Sequence, residues 1–440
     1  MTQVATSPDS YATQFARFAE QTTLPVALAA LRDDAFGCFD RLGFPTTALE
    51  DWRFTNVAPI AATTFVAATS AADYSRAALD ALRLPRLGGP ELVFVNGSFA
   101  PALSVTDGLP AGARAQNLAA VIANDAEGIT PCLGRLARVD RQAFTALNTA
   151  FLRDGAVVDI ASGVVVEKPI HLVFVTTNGA EPVLSQPRVL LRVGAHSQVR
   201  VVESHVGHSE APYLSNTVSE IFAGDHAVVD HYALVREAEV AFRVGSLHAT
   251  LGRASTFSSH TITLGGGLVR NEASVVLGGE GGTCTLNGLY LANGRQLVDN
   301  QTTIDHAQPH CNSHELYKGI IDGRSRAVFN GKIIVRLDAQ KTDAKQSNKA
   351  LLLSEDAQIT TKPQLEIFAD DVRCTHGATV GQLDGDALFY LRTRALSREQ
   401  ARQILIHAFA ADLLGHIKID AIRAQLDALL LERLPVRVGA

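Results

Sequence analysis

The chain has 440 residues, 47% of them apolar, and carries 39 basic against 45 acidic side chains for a net charge of −6. That length allows two or three structural units, and that apolar fraction excludes an intrinsically disordered chain. The charge balance and the lack of any Lys/Arg block exclude a nucleic-acid footprint, and no apolar run reaches membrane-spanning length, so neither nucleic acid nor membrane is an expected partner.

The opening stretch, MTQVATSPDSYATQF, has no charged segment followed by an apolar one, so no secretory signal is expected. Residues 1 to about 60 read as helical. Phe15, Phe18 and Ala19 share one face, and a second pattern runs through Leu28, Leu31 and Ala35. In PTTALEDWRFTN, Thr47 is a candidate N-cap and Trp52, the only tryptophan, a candidate packing anchor. ELVFVNGSFA, residues 91 to 100, carries an Asn-Gly turn after an apolar run and predicts a hairpin. Helical pattern returns between about 115 and 152, ending in LNTAFLRDG with Gly155 as a candidate C-cap.

From about residue 156 short alternating runs dominate: IHLVFV, VLLRV, QVRVVES, AVVDHYALV, TFSSHTITL. Turn signals recur between them, with GAHS at 194, GDHA at 224, GRAS at 252, GEGG at 279 and GRSR at 323. The first gaps are 30, 28 and 27 residues. A register of that length predicts stacked coils, a parallel β-helix, whereas a β-sandwich would turn every 8–12 residues or so without a longer period. At Ser397 the texture changes again. Ser397 and Gln400 form a capping-box pattern, Ile404, Leu405, Ala408, Phe409 and Leu413 form a stripe, and Gly415 can end that helix. Asp420 can cap a second helix, with Ile422, Leu426, Leu429 and Leu430 on one face. Such a helical hairpin could cap the open edge of the solenoid or dock a partner. The expected organisation is a mostly helical domain with a small hairpin over 1–155, a β-helix core over 156–394 and a helical domain over 395–440.

Chemistry-bearing residues gather in a few places. No P-loop, GxSxG, HExxH or EF-hand pattern is present, and LGGEGG at 277 lies among strands with no helix after it, so it reads as a coil turn. DHAQPHCNSHE offers His306, His310, Cys311 and His314 as metal-capable groups, although Pro309 and Asn312 argue for a loop and hydrogen-bonded imidazoles at a polar corner explain it equally. In DDVRCTHGATVG, an extended backbone puts Cys374 and His376 on one face and Arg373 and Thr375 on the other. A thiolate beside an imidazole can ligate iron or zinc, or act as nucleophile and base, or be a buried thiol beside a satisfied histidine. Two ligands do not complete a four-coordinate shell, so a metal role requires a partner. Lys332, Lys341 and Lys345 could meet an anion, but a solvated face is the simpler expectation. The five cysteines, Cys38, Cys132, Cys284, Cys311 and Cys374, are scattered, odd in number and without a CxxC pair, which fits a reducing, cytoplasmic compartment.

YKGIIDGRSRAVFNGKIIV, DAQKTDAKQSNKALLLSEDAQITTKPQLEIFADDVRCTHGATVG and LFYLRTRAL resemble the SufB/SufD family of iron–sulfur cluster assembly proteins, over roughly residues 140 to 435. PTTALEDWRFTN, and the lack of the B subunit's additional cysteines, is more similar to the D-type branch (SufD). The resemblance implies a right-handed parallel β-helix between helical domains. It implies a non-enzymatic scaffold in a cytoplasmic complex with a SufB-type paralogue and a SufC-type ABC ATPase docked through the C-terminal helices. It implies that Cys374 and His376 help hold a transient iron–sulfur cluster shared with that paralogue, and it allows reduced flavin in the complex and a homodimer of the isolated chain. RTRAL departs from the family in carrying Ala395 where glycine is common, with a small local change expected. Two rivals remain: a purely structural partner with an inert Cys374, and a β-helix carbohydrate-active enzyme using Asp370, Asp371 and His376.

Overall fold

The computed structural model describes residues 8–68, 74–82, 84–177 and 181–433. Its centre is a two-sheet β-solenoid in which each strand pairs with the second strand after it, always in parallel. Sheet one runs through Gly155–Ile160, Arg188–Val193, Tyr213–Ala223, Phe242–Leu251, Leu268–Leu277, Leu297–His306, Arg326–Val335 and Gln358–Ile367. Sheet two runs through Ile170–Thr177, Gln198–His208, Val228–Arg236, Thr256–Thr263, Thr283–Ala292, Asn312–Ile321, Asp343–Leu352 and Arg373–Gly381. In sheet two, Gln198 aligns with Val228, Val228 with Thr256, Thr256 with Thr283, Thr283 with Asn312, Asn312 with Asp343, and Asp343 with Arg373. This is the long register that the recurring turns announce, and it displaces the sandwich alternative.

The turns explain the period physically. One corner of the solenoid places His196, His226, Ala254, Gly281, His310 and Lys341 in the left-handed conformation, one per coil. Each of these residues donates its backbone N–H to a carbonyl of the next coil: His196 to Asp225, His226 to Arg253, Ala254 to Glu280, Gly281 to Pro309, His310 to Gln340 and Lys341 to Asp371. The ladder satisfies backbone donors that a sharp corner would otherwise orphan. GAHS, GDHA, GRAS and GEGG belong to this corner. GRSR at 323 lies at the opposite corner, after Asn312–Ile321, and is not part of the same series.

The N-terminal region adds strands at one end. Glu91–Val95 and Ser98–Phe99 form the expected hairpin around Asn96 and Gly97, both with positive φ, and Glu91–Val95 continues sheet two beside Ile170–Thr177. The stretch after 113 is not all helix. Ala113–Asn117 is a strand antiparallel to Gly155–Ile160, followed by helices Leu118–Ile129 and Ala143–Ala150. Gly155 does not cap a helix; it opens a strand, and a Cβ there would lie 1.8 Å from the Arg188 carbonyl oxygen. Thr47 is not a cap either. It lies in a turn before the short Glu50–Trp52 helix, and Thr46 Oγ1 accepts from the Ala48 N–H.

Helices cover both flanks. Pro8–Gln21, Val26–Leu42 and Ala143–Ala150 pack with Phe65 on the outer face of sheet one, against Leu214, Val244, Leu268, Leu297 and Val328. Phe15 stacks on Phe36 at 4.1 Å, and Phe18 meets Phe151 at 5.3 Å. At the other end come Gly385–Thr393, Arg398–Leu414 and Asp420–Arg433. The Ser397/Gln400 capping box forms in full. The last two helices do not cap the open edge. They lie on the outer face of sheet two, where Ile406, Leu413, Ile422, Leu426 and Leu430 meet Tyr232, Leu234, Ile262, Leu289 and Ile320. Ile404 and Ala408 therefore point outward. The helix is apolar around most of its girth, and packing selects the Ala401/Ile406/Ala410/Leu413 stripe.

Candidate functional site

The solenoid ends in two unpaired edges. Arg373–Gly381 pairs only with Asp343–Leu352, and Gln358–Ile367 only with Arg326–Val335, so each presents a row of backbone groups with no neighbouring strand among the described residues. The two edges differ. Pro363 sits in the middle of the sheet-one edge and removes a donor there, while Gly377 and Gly381 leave the sheet-two edge unobstructed. Leu337, Ile367, Phe368 and Val380 are exposed around this end.

Cys374 and His376 both lie on the sheet-two edge strand. Cys374 aligns with Ala344 and His376 with Gln346, residues buried in the solenoid interior, so both project to the inner face at the open mouth. Cys374 is half-buried against the cluster of Ile333, Val335, Ala339, Ala344 and Ala369, and His376 is exposed. Burial pushes the Cys374 thiol up, an N–H contact from Ala344 opposes this, and the Asp343 carboxylate adds to it. Without a cation the thiol is therefore held as a thiol; a metal ion would reverse that balance.

The other cluster disperses. His306 and Cys311 face inward and are fully buried, with His306 Nε2 2.9 Å from Ser313 Oγ and Cys311 Sγ 3.4 Å from the Gly279 carbonyl. His310 occupies the exposed corner, 3.9 Å from Glu280, and His314 is exposed on the outer face of sheet two. Among the described residues no three His, Cys, Asp or Glu side chains gather so as to hold a metal ion. Lys332 pairs with Glu366 at 3.2 Å, Lys341 with Asp371, and Lys345 with Asp343 on its own strand at 3.2 Å, so each of these lysines has a carboxylate partner within the fold. Asp371 is thereby engaged by Lys341, and Asp370 stands exposed at the same corner. The glycines of LGGEGG serve coil stacking, since a Cβ on Gly279 would lie 2.1 Å from the Arg253 nitrogen. Sequence alternation does not reveal Gln346 and Glu315, which lie beneath His376 in one inward column at spacings of 30 and 31 residues, the coil register.

The chain is thus a two-sheet parallel solenoid protein flanked by helices, with a thiol and an imidazole on an unpaired strand edge. The chain belongs to the SufBD family of iron–sulfur cluster assembly proteins. A family model described as the SufBD core domain of the SUF system for FeS cluster assembly matches residues 174–409, and the SufBD N-terminal region matches 7–172. An iron–sulfur cluster assembly SufBD family protein of Synechocystis is 35% identical over 92% of this chain and 95% of its own length. The iron–sulfur cluster assembly protein SufD of Escherichia coli is 32% identical over 90% of each chain, and the SufD of Bacillus subtilis is 28% identical over 66% of each.

Proposed function

We propose that the chain is a scaffold subunit in which Cys374 and His376 hold iron, or a nascent cluster carried as cargo, together with ligands from a SufB-type paralogue. The observation that carries this reading is the pair's position: two soft or borderline ligands on the inner face of an unpaired edge strand, where a second polypeptide can add both strands and ligands. The exposed Leu337, Phe368 and Val380 around the mouth supply apolar area for that union. A SufC-type ATPase would dock on the C-terminal helices, whose Phe389, Tyr390, Ile404 and Leu431 are exposed. All five cysteines are free, in keeping with work in a reducing cytoplasm.

The raised Cys374 thiol favours a second reading, in which the chain is a structural partner and the cysteine is inert. One experiment separates the two. The chain is co-expressed anaerobically with the paralogue and ATPase, and iron and acid-labile sulfide are counted per complex. Cys374→Ala and His376→Ala are expected to lower both while the complex still assembles. Unchanged iron and sulfide in the single and double variants would leave only the structural reading.

A further inference from the structure

Directly beneath His376 on the inner face lies Gln346, and beneath Gln346 lies Glu315, one residue from each of three successive coils. Strand neighbours stand about 4.8 Å apart, so the three side chains form a column within mutual reach. Gln346 and Glu315 are each 3% exposed. Gln346 donates from Nε2 to Glu315 Oε2 at 2.7 Å, and this contact ties the amide nitrogen to the coil below. The amide oxygen is left on the side away from Glu315. Gln346 Oε1 is buried and has no hydrogen-bond partner. Gly331 clears the space for this amide, since a Cβ there would lie 2.3 Å from Gln346 Nε2. An orphaned, oriented, buried acceptor beside an imidazole is costly unless that acceptor is used.

We propose that Gln346 is the positioning residue for His376: its Oε1 accepts one imidazole N–H when the ring settles onto the column, which fixes the tautomer that leaves the other ring nitrogen bare for iron. The inference rests on the reading of His376 as a ligand. Histidines that bind metals almost always donate their second nitrogen's proton to such an acceptor, and that bond decides which nitrogen is free. Glu315 acts one step further back. Its Oε2 accepts from the amide N–H and so holds Nε2 toward the coil below.

The test uses the purified, metal-free full chain and long-range ¹⁵N–¹H spectra of the imidazoles, with His376 assigned by His376→Gln. The native chain is expected to show His376 in one dominant tautomer, and Gln346→Met a mixture of both. The exchange variant Glu315→Gln/Gln346→Glu restores an oriented acceptor and is expected to restore the single tautomer, which a merely structural loss would not do. Should Gln346→Met fail to fold, Glu315→Leu/Gln346→Met removes both polar partners and carries the same test. A folded variant without the acceptor whose His376 tautomer matches the native chain overturns the proposal. In the reconstituted complex, Gln346→Met should weaken iron retention about tenfold, with recovery in the exchange variant. A tautomer that responds to Gln346 in a complex whose iron ignores both Gln346→Met and His376→Ala would support the hydrogen bond and overturn the ligand reading.

Discussion

The Arg270 guanidinium lies over the indole ring of Trp52, 3.7 Å from its centroid. Arg270 comes from the outer face of sheet one and Trp52 from the short helix that crosses it. The same guanidinium reaches Asp299 at 2.5 Å, Glu272 at 2.6 Å and the Asp51 carbonyl at 2.8 Å, while Thr55 donates to Asp299 at 2.6 Å. Further along, Glu50 pairs with Lys362 on the edge strand of sheet one. The segment 50–55 thus straps together coils that are distant in sequence. Arg270 is 2% exposed, so its charge depends on these partners.

Trp52→Ala removes the ring that covers this cation and its packing on Phe144 at 5.4 Å. The expected cost is about 2 kcal/mol, below the full value for a buried aromatic because Trp52 is only partly buried, with the cation–π contact included. A lowered urea midpoint with an unchanged slope would register it. A midpoint shift equivalent to less than about 0.5 kcal/mol would mean that the strap is held by its backbone and carboxylate contacts alone.

Two kinds of buried group should pull stability in opposite directions as pH rises from about 4 to 7. Burial holds the pKa of His205, His260 and His306 down at about 4. Groups with depressed folded values bind fewer protons when folded, so their contribution is complete above about 6.5 and lost as pH falls toward 4. Glu315 behaves in reverse. Burial raises its pKa to about 7, against a hydrogen bond from Gln346 that lowers it. The folded chain holds that proton more tightly than the unfolded one, so stability present below about 4.5 is lost as pH rises to 7. Glu315→Gln should remove this loss between about pH 4.5 and 7 and raise stability at pH 8 by about 1–3 kcal/mol. Thermal melts of both proteins between pH 5 and 8 check it; parallel curves would show that the buried carboxyl does not titrate in that interval.

The solenoid was legible because a coil corner has a backbone requirement that sequence records. Gly194, Gly224, Gly252 and Gly279 return at 30, 28 and 27 residues since the coils must stack closely there. The capping box at Ser397 was equally legible, whereas Thr47 is not a cap and the side-chain caps at Ser75 and Asp384 carry no such paired signal. Gly155 misled because a glycine after a helical run resembles a C-cap, while its real constraint, contact with the Arg188 backbone, is long-range. The C-terminal helix misled because residues 401–414 are apolar on several sides, and only sheet two decides which side is covered. At the site, strand alternation alone placed Cys374 and His376 together. It could not reveal Gln346 and Glu315, because their relation to His376 exists only once the coil period is fixed at each turn.

Ala395 takes a φ of +65°, just past the helix Gly385–Thr393, with its N–H bonded to the Arg392 carbonyl at 3.1 Å. This is the left-handed position that ends many helices and favours glycine. A glycine here would have a conformational reason, since Ala395 in RTRAL carries a positive φ at the end of a helix. Ala395→Gly should relieve about 1 kcal/mol of backbone strain, partly offset by the greater freedom of glycine in the unfolded chain. A small rise in urea midpoint is expected, and a fall would mean that the Cβ makes a contact worth more than the strain.

Lys318 attaches the C-terminal helices to sheet two. Its side chain is 4% exposed, and its Nζ donates to Asp412 at 2.6 Å and to the Phe409 carbonyl at 2.9 Å, with the Phe409 ring 5.0 Å away. Asp412 is more than half exposed and its carboxyl is held low by Lys318. The two ends of this pair should respond differently to truncation. Asp412→Ala leaves a buried ammonium with one carbonyl and an aromatic ring, at a cost of about 2 kcal/mol, reduced from the full buried-pair value by solvent access on the acid's side. Lys318→Met removes the charge along with its need for a partner and fills similar volume, so its cost should be smaller, about 1 kcal/mol. Hydrogen exchange of residues 398–433 reads the difference locally: protection should drop further in Asp412→Ala than in Lys318→Met. The reverse order would mean that the ion pair itself, rather than relief of a buried charge, holds the helices on the sheet.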